Sequence, residues 1–408
     1  MYVNRELYLR KIEPLIDKDI AKVLTGIRRC GKSVLLSLIR ERLRSRGIKD
    51  EQFASLSFDT FETDEAWDAA EIYRRIKAQA KTTQARLYLF FDEIQELTGW
   101  EKLVNSCLTE LDCDLYLTGS NSKMLSKELA SLLTGRYVTL DVYPFSFAEA
   151  LEMRRIQGSE LDRREAFNEY LLSGGMPFIY QIDDAHTRRQ YLRDLAEAII
   201  SKDITERYEV RDTDLLRRLI VYLMSNVGNL FSANRALGHI RSHGRTTSWE
   251  TIANYVEYTK TAYLFLPVAQ TDLTGKEILS AQEKLYATDH GFREALYGKN
   301  LENASQVLEN IVFLELKRHD YEVTVGRLDK LEVDFVARKD GRLGYLQVCY
   351  LLADDEIVKR EFQSLLRIQD NYPKFVLSLD PLDRSSDGIR HINLIDFLAD
   401  FDAYFDLS

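Results

Sequence analysis

The sequence predicts an α/β fold: a parallel sheet carrying a phosphate-binding loop, followed by helical and further α/β modules. Two observations predict it. The first is Gly26-Ile27-Arg28-Arg29-Cys30-Gly31-Lys32-Ser33, a G-x-x-x-x-G-K-[ST] run set between a strand pattern and a helix pattern. The second is Leu87-Tyr88-Leu89-Phe90-Phe91-Asp92-Glu93. Its apolar part suits a strand buried on both faces, as parallel sheets require, and it ends in two acids.

Composition bounds the rest. The chain has 408 residues, too many for one core, so several domains are expected. A hydrophobic content of 45% is ordinary for a soluble globular protein. No apolar run reaches a membrane span, and Met1 to Arg5 lacks the apolar stretch of a signal peptide. The expectation is a cytoplasmic protein without a membrane partner. Cys30, Cys107, Cys113 and Cys349 have neither zinc nor disulfide-framework spacing. A net charge of −10 excludes a chain that coats nucleic acid over its whole surface, but not a local basic patch.

In order, Ile20 to Thr25 reads as a buried strand, and the apolar residues from Val34 to Leu43 fall at helical spacing before Gly47. Between them Gly26 and Gly31 let the backbone turn with positive φ and approach a phosphate. The loop amides from Gly26 to Val34 then face an anion together with the helix's positive end. Lys32 can reach the β- and γ-phosphates, and Ser33 can ligate Mg²⁺. Cys30, inside the loop, raises thiol sensitivity as a side expectation. Phe53 to Phe58 reads as a second strand and Ala66 to Ala80 as a helix. After the run from Leu87, Asp92 can hold the Mg²⁺ shell, and Glu93 can orient or deprotonate the attacking water. That second acid fits hydrolytic ATPases, and no Asn-Lys-x-Asp guanine motif follows, so ATP is the expected nucleotide. Trp100 to Leu111 reads as a helix and Asp114 to Thr118 as a strand running into Gly119-Ser120-Asn121. Ser120 and Asn121 are candidates for sensing the γ-phosphate, or for capping the helix expected over Lys123 to Leu133. Arg136, opening the strand from Tyr137 to Leu140, is a candidate arginine finger in cis or in trans.

The glycine loop, Asp92-Glu93, Leu117-Thr118-Gly119-Ser120-Asn121, Gly135-Arg136 and Tyr143-Pro144-Phe145-Ser146-Phe147 together resemble a large prokaryotic family of AAA-type ATPases. In that family a C-terminal region of unknown function follows the ATPase domain. The resemblance covers nearly the whole chain. It implies a five-stranded parallel sheet with a hydrolytic glutamate, and an oligomer as one state open to it.

Residues 1–150 are therefore expected to form the ATPase domain. Residues 151–207 read as a helical lid or linker, entered through a capping box at Ser146 and Glu149 and interrupted at Gly174-Gly175-Met176-Pro177. Residues 208–290 give three helical patterns (from Thr213, Ser232 and Ser248) and then two short strands, the outline of a winged helix-turn-helix. Between Leu215 and Trp249 there is no acid, while Arg217, Arg218, Arg235, Arg241 and Arg245 are present. The third helix carries Glu250 and Glu257, so DNA contact and protein docking both stay open.

In residues 291–408 a helix with Glu309 precedes a strand with Asp334 and a return strand with Gln347 and Cys349. This resembles the core of PD-(D/E)xK nucleases, the restriction-endonuclease-like fold. There a helix acid, a strand acid and an acid-x-Lys strand converge on a metal. Gln347 and Cys349 occupy the acid and lysine places, and Cys349 cannot supply a fixed positive charge. A degenerate site is expected. The functional expectation is an AAA-type ATPase coupled to this module. A nucleotide switch with negligible turnover and an ATP-coupled nuclease are the alternatives.

Overall fold

The computed structural model describes residues 2–59, 68–120, 133, 135–159, 162–273 and 283–407. The chain divides into two compact units, one of residues 1–142 with 261–263, the other of residues 143–260 with 264–408. Asn121, and the helix expected over 123–133 save Leu133, lie outside the described residues.

The first unit is built on five parallel strands: β1 (Ala21–Thr25), β2 (Phe53–Ser57), β3 (Leu87–Asp92), β4 (Cys113–Gly119) and β5 (Tyr137–Asp141), ordered β2-β3-β4-β1-β5. Helices α1 (Glu6–Ile12), α2 (Lys32–Ser45), α3 (Ala69–Thr83) and α4 (Trp100–Glu110) accompany it. The central strands β1 and β4 are buried along their whole length, as strands covered on both faces must be. Leu89, Phe91, Leu115 and Leu117 pack with Ile72, Ile76, Leu103 and Val104 of α3 and α4 into one core. One inward position is charged. Lys22 is fully buried and pairs with Asp114, which also accepts from Tyr116 Oη and from Asp17 N, each at 2.9 Å. A buried charge survives only when paired and hydrogen-bonded, and this knot meets both conditions.

The second unit opens with α5 (Phe147–Ile156), α6 (Arg163–Ser173) and α7 (Ala185–Ala198). Ser146 Oγ accepts from Glu149 N at 3.0 Å, and Glu149 Oε2 from Ser146 N at 2.9 Å, the reciprocal cap that the sequence predicts. The turn at Gly174-Gly175, which interrupts the stretch read as a lid or linker, is closely packed. Gly175 N donates to Asp289 Oδ2 at 2.7 Å, and a Cβ on Gly174 would lie 2.0 Å from Asp289 Oδ1.

Helices α8 (Thr213–Ser225), α9 (Ala233–Ser242) and α10 (Trp249–Thr261) lead into an antiparallel hairpin of β6 (Phe265–Asp272) and β7 (Glu283–Ala287). β6 starts at Phe265, just after Tyr263 turns the chain with φ of 56°. After α11 (His290–Leu296) and α12 (Ala304–Arg318) come β8 (Glu322–Leu328), β9 (Leu331–Lys339), β10 (Arg342–Val348), α13 (Asp355–Leu366), β11 (Lys374–Ser378) and β12 (Ile389–Asn393). The hairpin does not stand apart. β6 pairs in parallel with β8, Gln270 opposite Val325, giving one seven-stranded sheet ordered β12-β11-β10-β9-β8-β6-β7. The boundary expected at 290 therefore falls inside a continuous sheet. Local patterning locates strands but not their partners.

Candidate active site

The loop between β1 and α2 forms a cradle. Gly26 has φ of 148° and Gly31 of 104°. A Cβ on Gly26 would lie 2.2 Å from the Val142 carbonyl oxygen and 3.2 Å from Cys30 Sγ, so only glycine fits beneath the strand end. Gly31 is the N-cap of α2 and has no side chain with which to bond the first-turn amides of that helix. Lys32 is buried, and its Nζ donates to the carbonyls of Gly26 and Ile27 at 3.1 and 3.2 Å. Arg28 is half-buried and Arg29 exposed, the latter with φ of 67°. Cys30 is fully buried, and burial pushes its thiol up, so it fills the loop rather than offering a reactive thiolate.

The acids meet this cradle from β3. Glu93 Oε1 lies 3.4 Å from Lys32 Nζ, and Gln95 Nε2 donates to Glu93 Oε2 at 2.6 Å. Burial raises the Glu93 carboxyl, but Lys32, Gln95, Arg28 and Ser120 more than reverse this and hold it below the ordinary range. Asp92 goes the other way. Burial raises it, the hydroxyls of Thr118 and Ser33 lower it, and Glu93 raises it further, with a net upward shift. Asp92 and Ser33 are thus within hydrogen-bonding reach of each other, as two ligands of one hard cation would be.

Thr118 governs both acids. Its Oγ1 donates to Asp92 Oδ1 and accepts from Glu93 N at 2.8 Å, and the residue is fully buried. Glu93 sits in the left-handed region at φ 49°, a strained setting for a non-glycine residue that this bond helps to hold. Sequence reasoning assigns Thr118 no role of its own. Its position beside the acids becomes visible only when β3 and β4 pair. Ser120 Oγ is buried without a well-formed hydrogen bond, though it lies close enough to lower the Glu93 carboxyl.

Arg136 is not brought to this group. Its carbonyl accepts from Ala21 N at 3.0 Å, so it stands where β1 begins, while the loop leaves β1 at its end. Its Nη2 donates to Asn105 Oδ1 at 3.0 Å. Five residues of strand span roughly 16 Å, beyond the reach of an arginine to phosphates in its own loop.

The donors present fit a magnesium-bound nucleoside triphosphate. A glycine loop that a Cβ would block, the first-turn amides of α2, a buried ammonium and a Ser33-Asp92 pair converge at one sheet end.

The strand order and the loop are those of a P-loop nucleotide-binding fold. An AAA domain matches residues 18–151, and a domain of unknown function (DUF8612) matches residues 164–303. A protein of Haemophilus influenzae described as uncharacterised is 36% identical over 397 residues, covering 97% of this chain and 98% of that one. An uncharacterised protein of Methanocaldococcus jannaschii is 30% identical over 363 residues, covering 86% of this chain and 78% of that one. The chain belongs to the family of these two proteins. Among solved structures, a Walker-type ATPase of Pyrococcus abyssi is similar in fold, with a TM-score of 0.50 at 15% identity, over 72% of this chain and 96% of that one.

A second cluster lies in the other unit. Glu309 from α12 and Asp334 from β9 lie close enough for their carboxyls to interact. The ammonium that reaches them is Lys284 of β7, which sequence spacing does not single out. Its Nζ lies 2.8 Å from Glu309 Oε1 and 2.6 Å from Glu332 Oε1. Tyr286 Oη also donates to Glu309. Burial raises the Asp334 carboxyl well above its ordinary value, with Glu309 adding to the rise. Gln347 Oε1 accepts from Asp334 N at 3.3 Å, and Cys349 is buried in an apolar cluster with Leu352 and Phe362. Among the described residues no group of three or more His, Cys, Asp or Glu is arranged to hold a metal ion.

The basic window is largely neutralised from outside itself. Arg217 pairs with Glu197 at 2.9 Å, Arg218 with Asp214 at 2.9 Å and Arg245 with Asp212 at 3.3 Å. Among the described residues Arg235 and Arg241 make no ion pair. No helix among them is long and apolar enough to cross a membrane.

Proposed function

We propose that the protein binds ATP with Mg²⁺ at the β1–α2 loop and hydrolyses it to ADP and phosphate. The observation that carries this is the buried Lys32–Glu93 pair at 3.4 Å, beside Asp92 and Ser33. Lys32 and the loop amides bind the phosphates, while Ser33 and Asp92 hold the cation. Bound there, Mg²⁺ would neutralise phosphate charge. In the unliganded loop Lys32 is engaged by Glu93 and by two loop carbonyls. Phosphate draws the ammonium away. Losing that partner raises the proton affinity of Glu93, which then accepts a proton from the attacking water.

The test is paired. Lys32→Ala is expected to abolish ATP binding in calorimetry. Glu93→Gln should bind ATP but release phosphate at under about 1% of the parental rate, in the range removal of a general base gives. Parental turnover by Glu93→Gln would sink the assignment, and parental binding without single-turnover hydrolysis would favour a switch.

For the second unit we read helices α8 to α10 with the β6–β7 hairpin as a winged-helix-like docking module. We read the sheet behind it as a nuclease-like scaffold without nuclease chemistry. Lys284 supports the latter, since its ammonium already pairs with Glu309, the helix carboxylate a metal would need. The paired arginines favour a protein over DNA as the module's partner.

A further inference from the structure

We propose that Arg5 is a positioning residue for the nucleotide loop, acting by locking one peptide plane; the inference rests on the ATP reading above. Arg5 Nη1 donates to the Cys30 carbonyl oxygen at 3.0 Å. It does so from 25 positions upstream and from outside the matched AAA domain, which begins at residue 18.

The guanidinium is held independently of the loop. Arg5 is 2% exposed and lies 4.5 Å from the centre of the buried Tyr8 ring. Its backbone is left-handed, φ 48° and ψ 43°, and its carbonyl accepts from Tyr8 N and Leu9 N to start α1. That helix and the residue capping it are tied to α2 and its C-cap, with Glu6 against Arg42 at 3.4 Å and Glu13 against Arg42 at 3.5 Å and against Arg46. Leu9 and Ile12 are buried beneath it. A strained, buried arginine fixed from behind is a rigid reference against which the loop is set.

The consequence follows from peptide geometry. In a planar trans peptide the C=O and the following N–H point in opposite directions. Fixing the Cys30 carbonyl on Arg5 turns the Gly31 N–H away from Arg5, toward the side where the cradle receives phosphate. Gly31, at φ 104°, has no Cβ to oppose a flip of that plane. A flipped plane would present a carbonyl to the phosphates and withdraw one donor. Arg5 supplies the restraint that the glycine lacks.

The test compares the parent with Arg5→Met, which keeps the stem, and Arg5→Lys, which keeps the charge. Calorimetry with MgATP should show ~10- to 100-fold weaker binding for Arg5→Met, as for one lost hydrogen bond to a charged group. Arg5→Lys should fall in between, and ethylguanidinium should restore Arg5→Met in part. Glycine-selective ¹⁵N spectra give the second readout. The Gly31 signal should shift on adding MgATP to the parent and move less in Arg5→Met. Parental affinity in Arg5→Met overturns the proposal alone. Weaker binding with an unaltered Gly31 response and no rescue also overturns it, since that is a general loss of fold. A parent that binds no ATP overturns the nucleotide reading and this inference together.

Discussion

Thr118→Val removes one hydroxyl and keeps the side chain's shape. In the parent that hydroxyl donates to Asp92 and accepts from Glu93 N at 2.8 Å, with Thr118 fully buried. Losing the bond to a charged carboxylate costs about 1.5–3 kcal/mol, and leaving the buried Glu93 amide unpaired adds about 1–3 kcal/mol. The two share one residue and do not sum fully, so the expected loss of stability is about 2–5 kcal/mol. The functional effect has a distinct signature. Asp92 loses a donor that lowers its pKa, so its proton affinity climbs further and it holds Mg²⁺ less well at neutral pH. Glu93, at φ 49°, loses an anchor of its strained backbone. Urea unfolding gives the stability, and phosphate release against Mg²⁺ concentration gives the function. Turnover should fall, and the Mg²⁺ midpoint should rise by about tenfold, the equivalent of ~1.4 kcal/mol. Thr118→Ser should remain near the parent. A Thr118→Val protein with parental stability and Mg²⁺ dependence would refute the reasoning.

Gly26→Ala puts a Cβ 2.2 Å from the Val142 carbonyl. It should cost about 2–5 kcal/mol in unfolding and abolish ATP binding, checked by thermal melts and calorimetry. Lys284→Met strips the ammonium from Glu309 and Glu332. Unfolding at neutral pH should show a loss of about 3–5 kcal/mol, shrinking toward acid as the orphaned carboxyls take up protons. His290 is buried and held neutral, its pKa pushed down to about 4 by burial, with Arg293 and Arg318 adding to the drop against the Tyr170 carbonyl. The unfolded chain binds this proton more readily, so its contribution to stability rises with pH between about 4 and 6.5 and is lost on acidification. Relative to His290→Gln, the parent's stability should therefore increase by up to about 1.4 kcal/mol per pH unit across that window, measured by urea unfolding.

What could be read in the sequence was what is contiguous in it. The loop, its glycines and the strand ending in Asp92 and Glu93 lie in unbroken runs, where local pattern and chemistry coincide. The parallel five-stranded sheet is what the family resembled by these motifs implies. What escaped depends on pairing across distance. Lys22, a charge within a buried strand, finds its partner only because β4 brings Asp114 beside β1. Thr118 acts on Asp92 only because β4 lies against β3. Lys284 reaches Glu309 from another element, 25 positions away. The basic window from 215 to 249 was real in sequence, but Glu197, Asp212 and Asp214 lie just before it and fold back onto its arginines. The join between the β6–β7 hairpin and the C-terminal sheet rests on main-chain hydrogen bonds, which leave no trace in side-chain pattern.

The Val142 carbonyl that excludes a side chain at Gly26 belongs to the last residue before the chain enters its other unit, and Val142 N is bonded to the Thr25 carbonyl at 2.6 Å. The polypeptide therefore leaves the first unit directly beneath the first glycine of the loop. A shift of the glycine cradle on loading or emptying would tug directly on the covalent thread leading to residue 143, with no long relay in between.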